Sequence, residues 1–200
     1  NRILPALRFG VKYVSLAFFL KNDDDPVIWR GPMFGKAIHQ LFHDVQWGEV
    51  DIAVIDLPPG TGDAQLSLAQ MVQLSGAVVV TTPQEVAMSD VRRAISMFKK
   101  VNVPVLGIVE NMAGFVAPNG EKFDIFGAGG GAQLASRYEL PLLASIPIEM
   151  NIRAGGDTGN PPSLSEEGSC AEVFSALAGS ILSLVETENK KVAGGPTIIS

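Results

Sequence analysis

Residues 51–63 read "DIAVIDLPPGTGD", and the reading of this stretch decides the fold. Ile52, Ala53, Val54 and Ile55 form an apolar run with the composition of a buried strand, closed by Asp56. The turn that follows holds two prolines, two glycines and a second acid, Asp63, which is more than a chain reversal requires. In parallel α/β sheets, ligands bind beyond the carboxyl ends of the strands, and Asp56 stands at such an end. A site handling phosphate and magnesium places an aspartate there to fix Mg2+, usually through water. Gly60, lacking a Cβ, lets a backbone N–H approach a γ-phosphate closely, and Pro58 and Pro59 stiffen the turn that presents it. The same residues fit an ordinary Pro-Gly turn with a capping aspartate, and spacing alone leaves both readings open.

Working outward, short apolar runs alternate with helix-length segments. Strands are expected at residues 11–19, 52–55, 77–81, 103–109 and 142–146. Helices are expected at 33–42, where Phe34, Ala37, Ile38, Leu41 and Phe42 recur at helical spacing, and at 64–74, 91–101, 132–138 and 171–185. Ser89-Asp90 supplies a cap signal for the third of these. A polar, Gly/Pro-rich segment is expected over 153–168. Strands separated by helices imply a mostly parallel sheet covered on both faces.

The bulk composition narrows the function. Two hundred residues suffice for one generous domain, and 46% hydrophobic content leans towards buried strands. A formal net charge of −6 without a basic stripe argues against nucleic acid or an anionic membrane as partner. No uninterrupted apolar run reaches the roughly 18 residues that span a bilayer. The single cysteine, Cys170, forms no internal disulfide and cannot alone hold zinc or an iron–sulphur cluster. A reducing compartment, the cytoplasm or an equivalent organelle interior, suits that usage.

Other stretches carry weaker signals. "GIVENM" (107–112) ends a strand at Glu110-Asn111, and a carboxamide there can read a purine edge or serve as a turn residue. Gln84, Glu85, Ser89 and Asp90 suit a switch surface or simple capping. "FGAGGGA" (126–132) matches the dinucleotide fingerprint literally, but the run before it makes a poor buried strand. His39 and His43 stand at i, i+4, without the glutamate of a zincin. Asp23, Asp24 and Asp25 read as solvated loop charge.

Taken together, "PVIWRGPMFGKAIHQL" (26–41), "WGEVDIAVIDLPPGTGDAQLSL" (47–68), "VVVTTPQEVAMSDVRRAISMFKKVNVPVLGIVENMAGF" (78–115) and "IPIEMNIRAGGDTGNP" (146–161) resemble the Mrp/ApbC-type proteins. These are P-loop ATPases of the MinD/ParA superfamily that act as iron–sulphur cluster carriers. The resemblance implies a doubly wound, mostly parallel α/β sheet of the P-loop NTPase type, incomplete at its amino-terminal side. It makes residues 1–187 the carboxy-terminal part of one ATPase domain and 188–200 a flexible tail.

For the site, the resemblance implies that Asp56 is the Walker B-type aspartate near Mg2+, with Asp63 just beyond as a second catalytic candidate. Pro58, Pro59 and Gly60 would face the γ-phosphate of ATP. Asn111 would contact adenine, and Pro147, Ile148 and Glu149 would pack around the base. Trp29 to Met33 and Gln84-Glu85 would lie near the dimer-facing side of the nucleotide. A homodimer sandwiching ATP is implied, with iron–sulphur scaffold or recipient proteins as partners.

Two departures qualify what is expected. The sequence contains no Gly-x-x-x-x-Gly-Lys-Ser/Thr, which in the family lies upstream of everything present here. The chain should therefore correspond to the carboxy-terminal two-thirds of a member, binding nucleotide weakly and hydrolysing it poorly. The Cys-x-x-Cys that many members carry after "ENM" is also absent, so the family's cluster ligands are not present. The expected function is an ATP-binding iron–sulphur carrier that releases cargo or partner according to its nucleotide. The alternatives are a non-catalytic partner-binding scaffold, or a MinD/ParA-like positioning ATPase, which the lack of an amphipathic tail disfavours.

Overall fold

The computed structural model describes residues 3–19, 31–57, 63–165 and 169–193. They fall into two compact units, Asn1–Gln73 and Leu74–Ser200.

In the first unit, β1 (Ala6–Arg8) and β2 (Val11–Tyr13) form an antiparallel hairpin with Arg8 opposite Val11. Its two-residue loop, Phe9-Gly10, has φ of 51° and 77°, the left-handed pair that matches strand twist in tight hairpins. The strand expected over 11–19 therefore stops at Tyr13, and a 3-10 turn (Leu16–Phe19) follows. Ser15 initiates that turn: its hydroxyl accepts the Ala17 N–H at 3.2 Å and its carbonyl the Phe18 N–H at 3.1 Å. Helix α1 (Gly31–His43) buries Ala37 and Ile38, as its spacing predicts. Beyond it, Val45 bridges to Ile3, the Trp47 indole donates to the Leu41 carbonyl at 2.8 Å, and Lys12 donates to the Glu49 carbonyl at 3.0 Å. Helix α2 (Asp63–Met71) buries Leu68.

The decisive apolar run does not form the expected strand. Residues 52–57 have no ladder partner among the described residues, and Val54 is 92% exposed. A strand exists only through a neighbour that takes its N–H and C=O groups. Without one, an apolar run does not become a strand, whatever its composition.

The second unit holds the sheet. β3 (Ala77–Thr81), β4 (Val105–Asn111) and β7 (Leu142–Ile146) pair in parallel in the order β3-β4-β7. α3 (Glu85–Lys100) and α4 (Gly130–Tyr138) pack on β3 and β4 around Val79, Met88, Val91, Ile95, Ile108, Leu134 and Ala135. Strand alternation points Val109 away from Ile108, and Val109 is buried too, so β4 is covered on both faces. This is the expected α/β arrangement of a parallel sheet between helices. A small hairpin, β5 (Phe115–Val116) with β6 (Lys122–Phe123), projects between β4 and α4.

Three boundaries differ from expectation for local reasons. α3 begins at Glu85, not beyond Ser89-Asp90, because Glu85 already suits a first helical turn and Gln84 occupies the cap position. The segment expected to be irregular contains α5 (Met150–Thr158), ended by Gly159 at φ 66°. Gly155 and Gly156 disguised it: at Gly155 a Cβ would lie 2.7 Å from the Asn160 carbonyl oxygen, so the glycine permits the chain to fold back there. α6 (Ser169–Ala193) extends beyond the expected 171–185, with Lys190 and Lys191 in its last turn, where basic residues favour a helix C-terminus. Cys170–Lys191 is long and apolar enough to cross a membrane by length and composition alone; here α6 lies against β7 and the turn Pro162–Leu164.

Candidate nucleotide-binding edge

Register aligns the carboxyl ends of the strands: Thr81 opposes Glu110, Glu110 opposes Ser145, and Asn111 opposes Ile146. Two cross-connections then tie the loops beyond β4 and β7 together. The Ala113 N–H donates to the Ile146 carbonyl at 2.9 Å, and the Ile148 N–H to the Gly114 carbonyl at 2.8 Å. Met112 and Gly114, with φ of 57° and 86°, bend the chain so that both bonds form. The structure thus brings Asn111 and Pro147, Ile148 and Glu149, the expected base-contacting residues, to one braced edge of the sheet.

Asn111 is half-buried, and its side chain is pinned by its own backbone. Its Oδ1 accepts the Met112 N–H at 2.9 Å, which fixes which terminal atom is oxygen. Among the described residues its Nδ2 has no partner, leaving a pre-oriented pair of donors at the sheet edge. Such a carboxamide can donate to a ring nitrogen of a purine while the second lone pair of Oδ1 accepts from an amino group.

Next to it lies an arrangement that the sequence reading passed over. Glu110 is buried, and its carboxylate accepts the Gly131 N–H at the start of α4. A carboxylate is favoured there by the exposed N–H groups of a helix N-terminus. The glycines of "FGAGGGA" make the approach possible. A Cβ on Gly131 would lie 2.7 Å from the Glu110 Cβ, and one on Gly130 would lie 2.6 Å from the Pro83 carbonyl oxygen. The stretch is a helix-seating device, and Glu110 occupies the N-terminal position that a phosphate takes in a dinucleotide fold.

The phosphate-side candidates are in the first unit. Asp56 is exposed and outside any strand. Asp63 opens α2. Pro58, Pro59 and Gly60 lie outside the described residues, as do Asp23, Asp24, Asp25, Trp29 and Arg30; the described part of that dimer-side stretch, Gly31 to Met33, is the first turn of α1. Glu85 pairs with Arg92 at 2.9 Å, and the Gln84 Oε1 accepts the Thr82 hydroxyl at 3.0 Å. Among the described residues no group of three His, Cys, Asp or Glu could hold a metal. Mg2+ in nucleotide sites keeps several waters and takes only one or two carboxylates besides the phosphates, so an accessible Asp56 suits the protein's share.

Cys170 is buried at the start of α6, and its thiol hydrogen-bonds the Glu149 carboxylate. Burial pushes its pKa up, and the charge and hydrogen bond of Glu149 push it further the same way. A raised pKa disfavours the thiolate, the form that binds metal. Iodoacetamide should label Cys170 at pH 7.5 at least about tenfold more slowly in the native protein than in urea-unfolded protein, read by intact mass. Equal rates would contradict the buried thiol–carboxylate contact. One thiol alone does not make a cluster site, which takes roughly four sulphur ligands.

A parallel sheet with helices on both faces and braced loops beyond its carboxyl ends defines an α/β fold of the kind that binds ligands at that edge. More specifically, the chain belongs to the ParA family: the family model that matches residues 1–182 is described as that of the NUBPL iron-transfer P-loop NTPases. An iron–sulfur cluster carrier protein of Aquifex aeolicus is 47% identical over 94% of this chain and 52% of its own length. A nucleotide-binding protein of Archaeoglobus fulgidus, solved in complex with ADP, is 39% identical with a TM-score of 0.65, covering 78% of this chain and 61% of that one. The cell division ATPase MinD of Pyrococcus furiosus is 26% identical with a TM-score of 0.56, over 78% of this chain and 59% of that one. The chain spans about half the length of the curated relatives it matches.

Proposed function

We propose that this protein works in iron–sulphur cluster assembly or delivery as an adenine-nucleotide-responsive homodimer. The braced edge carries the reading: Asn111, held by the Met112 N–H, stands beside Pro147, Ile148 and Glu149 through the Ala113–Ile146 and Ile148–Gly114 hydrogen bonds. In this reading Asn111 hydrogen-bonds the adenine edge, and residues 147–149 wall the base. Asp56 helps hold Mg2+ through water, and Asp63 lies just beyond it in sequence. The metal, when bound, neutralises phosphate charge. The turn at Pro58, Pro59 and Gly60 follows occupancy of the γ-phosphate, and a change in that turn biases release of cargo or partner.

The cluster is cargo in this account, and its ligands are not assigned to residues of this chain. Hydrolysis is assigned only together with a phosphate-binding loop, which this sequence does not contain. The partners are scaffold or recipient iron–sulphur proteins in a reducing compartment, cytoplasmic or organellar, without nucleic acid or membrane. The absence of a Gly-x-x-x-x-Gly-Lys-Ser/Thr and of a Cys-x-x-Cys from this sequence favours one second reading, a scaffold that binds such partners without responding to nucleotide.

The test is the rate of cluster transfer from a loaded donor protein to an apo-ferredoxin, with the protein present and Mg-ATP added or omitted. The proposal expects the rate to change severalfold with ATP. Acceleration that is indifferent to nucleotide would assign the scaffold role, and no acceleration would overturn both.

A further inference from the structure

The face of α1 carries an arrangement that the nucleotide reading does not use. His39 and His43 are separated by one helical turn, which sets their Cβ atoms roughly 5–6 Å apart on one side of the helix. Both side chains are exposed. Their ring centroids are 4.2 Å apart with the planes inclined at 42°, so the imidazoles lean together instead of splaying into water. Among the described residues neither ring makes a hydrogen bond, which leaves their nitrogens available. Ala37 and Ile38 are buried on the other side and anchor the helix that presents the pair.

We propose that His39 and His43 form a two-imidazole chelate for a late first-row divalent cation, Cu2+, Ni2+ or Zn2+. Imidazole suits these ions, and affinity should follow Cu2+ above Ni2+ and Zn2+. The helix supplies the chelate by fixing both donors on one face before the ion arrives. No third ligand joins them among the described residues, so water completes the coordination and the ion remains exchangeable. The role differs from that of a zincin helix, which requires a general-base glutamate between its histidines; this pair binds without hydrolytic chemistry.

Isothermal titration of the protein with NiCl2 and ZnCl2 tests the site. One ion per chain is expected, with affinity falling about tenfold or more in His39→Ala and again in His43→Ala. Far-UV circular dichroism of each variant establishes that α1 is retained. Electron paramagnetic resonance of the stoichiometric Cu2+ adduct gives a second readout, with coupling to two imidazole nitrogens expected in the parent and to one in each variant. Binding that survives both substitutions, or a Cu2+ spectrum with a single imidazole in the parent protein, would overturn the proposal.

Discussion

Gly130→Ala should destabilise the protein by about 1–3 kcal/mol. Helix propensity argues for the opposite sign, since alanine is favoured over glycine in a helix by roughly 1 kcal/mol. Packing decides. The new Cβ would lie 2.6 Å from the Pro83 carbonyl oxygen and 2.7 Å from the Met88 sulphur. The methionine can move aside; the carbonyl belongs to the chain entering α3 and cannot. Gly131→Ala should act in the same direction, because its Cβ would lie 2.7 Å from that of Glu110 and would lift α4 from the buried carboxylate. Gly156, in α5, is the control: nothing lies within 4 Å of its ideal Cβ, so alanine there should be neutral or mildly stabilising. Urea unfolding should show a lowered midpoint at unchanged slope for the first two variants. A Gly130→Ala protein at least as stable as the parent would mean that α4 is not seated on β3 and β4 in this way.

The second large effect concerns the base. Asn111→Ala should weaken adenine-nucleotide binding by about 1–2 kcal/mol, close to tenfold, because it removes the pre-oriented Nδ2 donors. The loss should come without unfolding, since Asn111 is half-buried at a strand end and the Ala113–Ile146 and Ile148–Gly114 bonds are between backbone groups. Fluorescence titration with a ribose-labelled ADP measures it, and a thermal melt of the variant keeps binding separate from folding. Unchanged affinity in a folded variant would remove Asn111 from the site.

What could be read in the sequence was what local pattern decides. The alternation of apolar runs and helical spacings placed β3 and β7 at their observed bounds and α1 and α2 close to theirs. The carboxyl-end rule drew attention to Asn111 with a turn role still open, and residues 147–149 came only from the family resemblance. What could not be read depends on partners. Residues 52–55 have the composition of a strand, but pairing requires a neighbour that composition cannot supply. Gly155 in α5 and Gly130 and Gly131 opening α4 looked like loop or cofactor signals because they permit close approach to Asn160, Pro83 and Glu110, the last two far away in sequence. The Cys170–Glu149 contact joins residues 21 positions apart and left no local trace. Strand parity offered one missed clue: Glu110 shares the Ile108 face of β4, so its carboxylate had to be buried and matched there.

The proposed function requires an adenine base at the joined ends of β4 and β7. Photolabelling with 8-azido-ATP in the presence of Mg2+, followed by peptide mapping, tests it most directly, because it locates the base even when binding is weak. Label that excess ATP competes away, concentrated in residues 111–114 and 146–149, is the expected result. Competable label confined to other segments, with these two untouched, would contradict it.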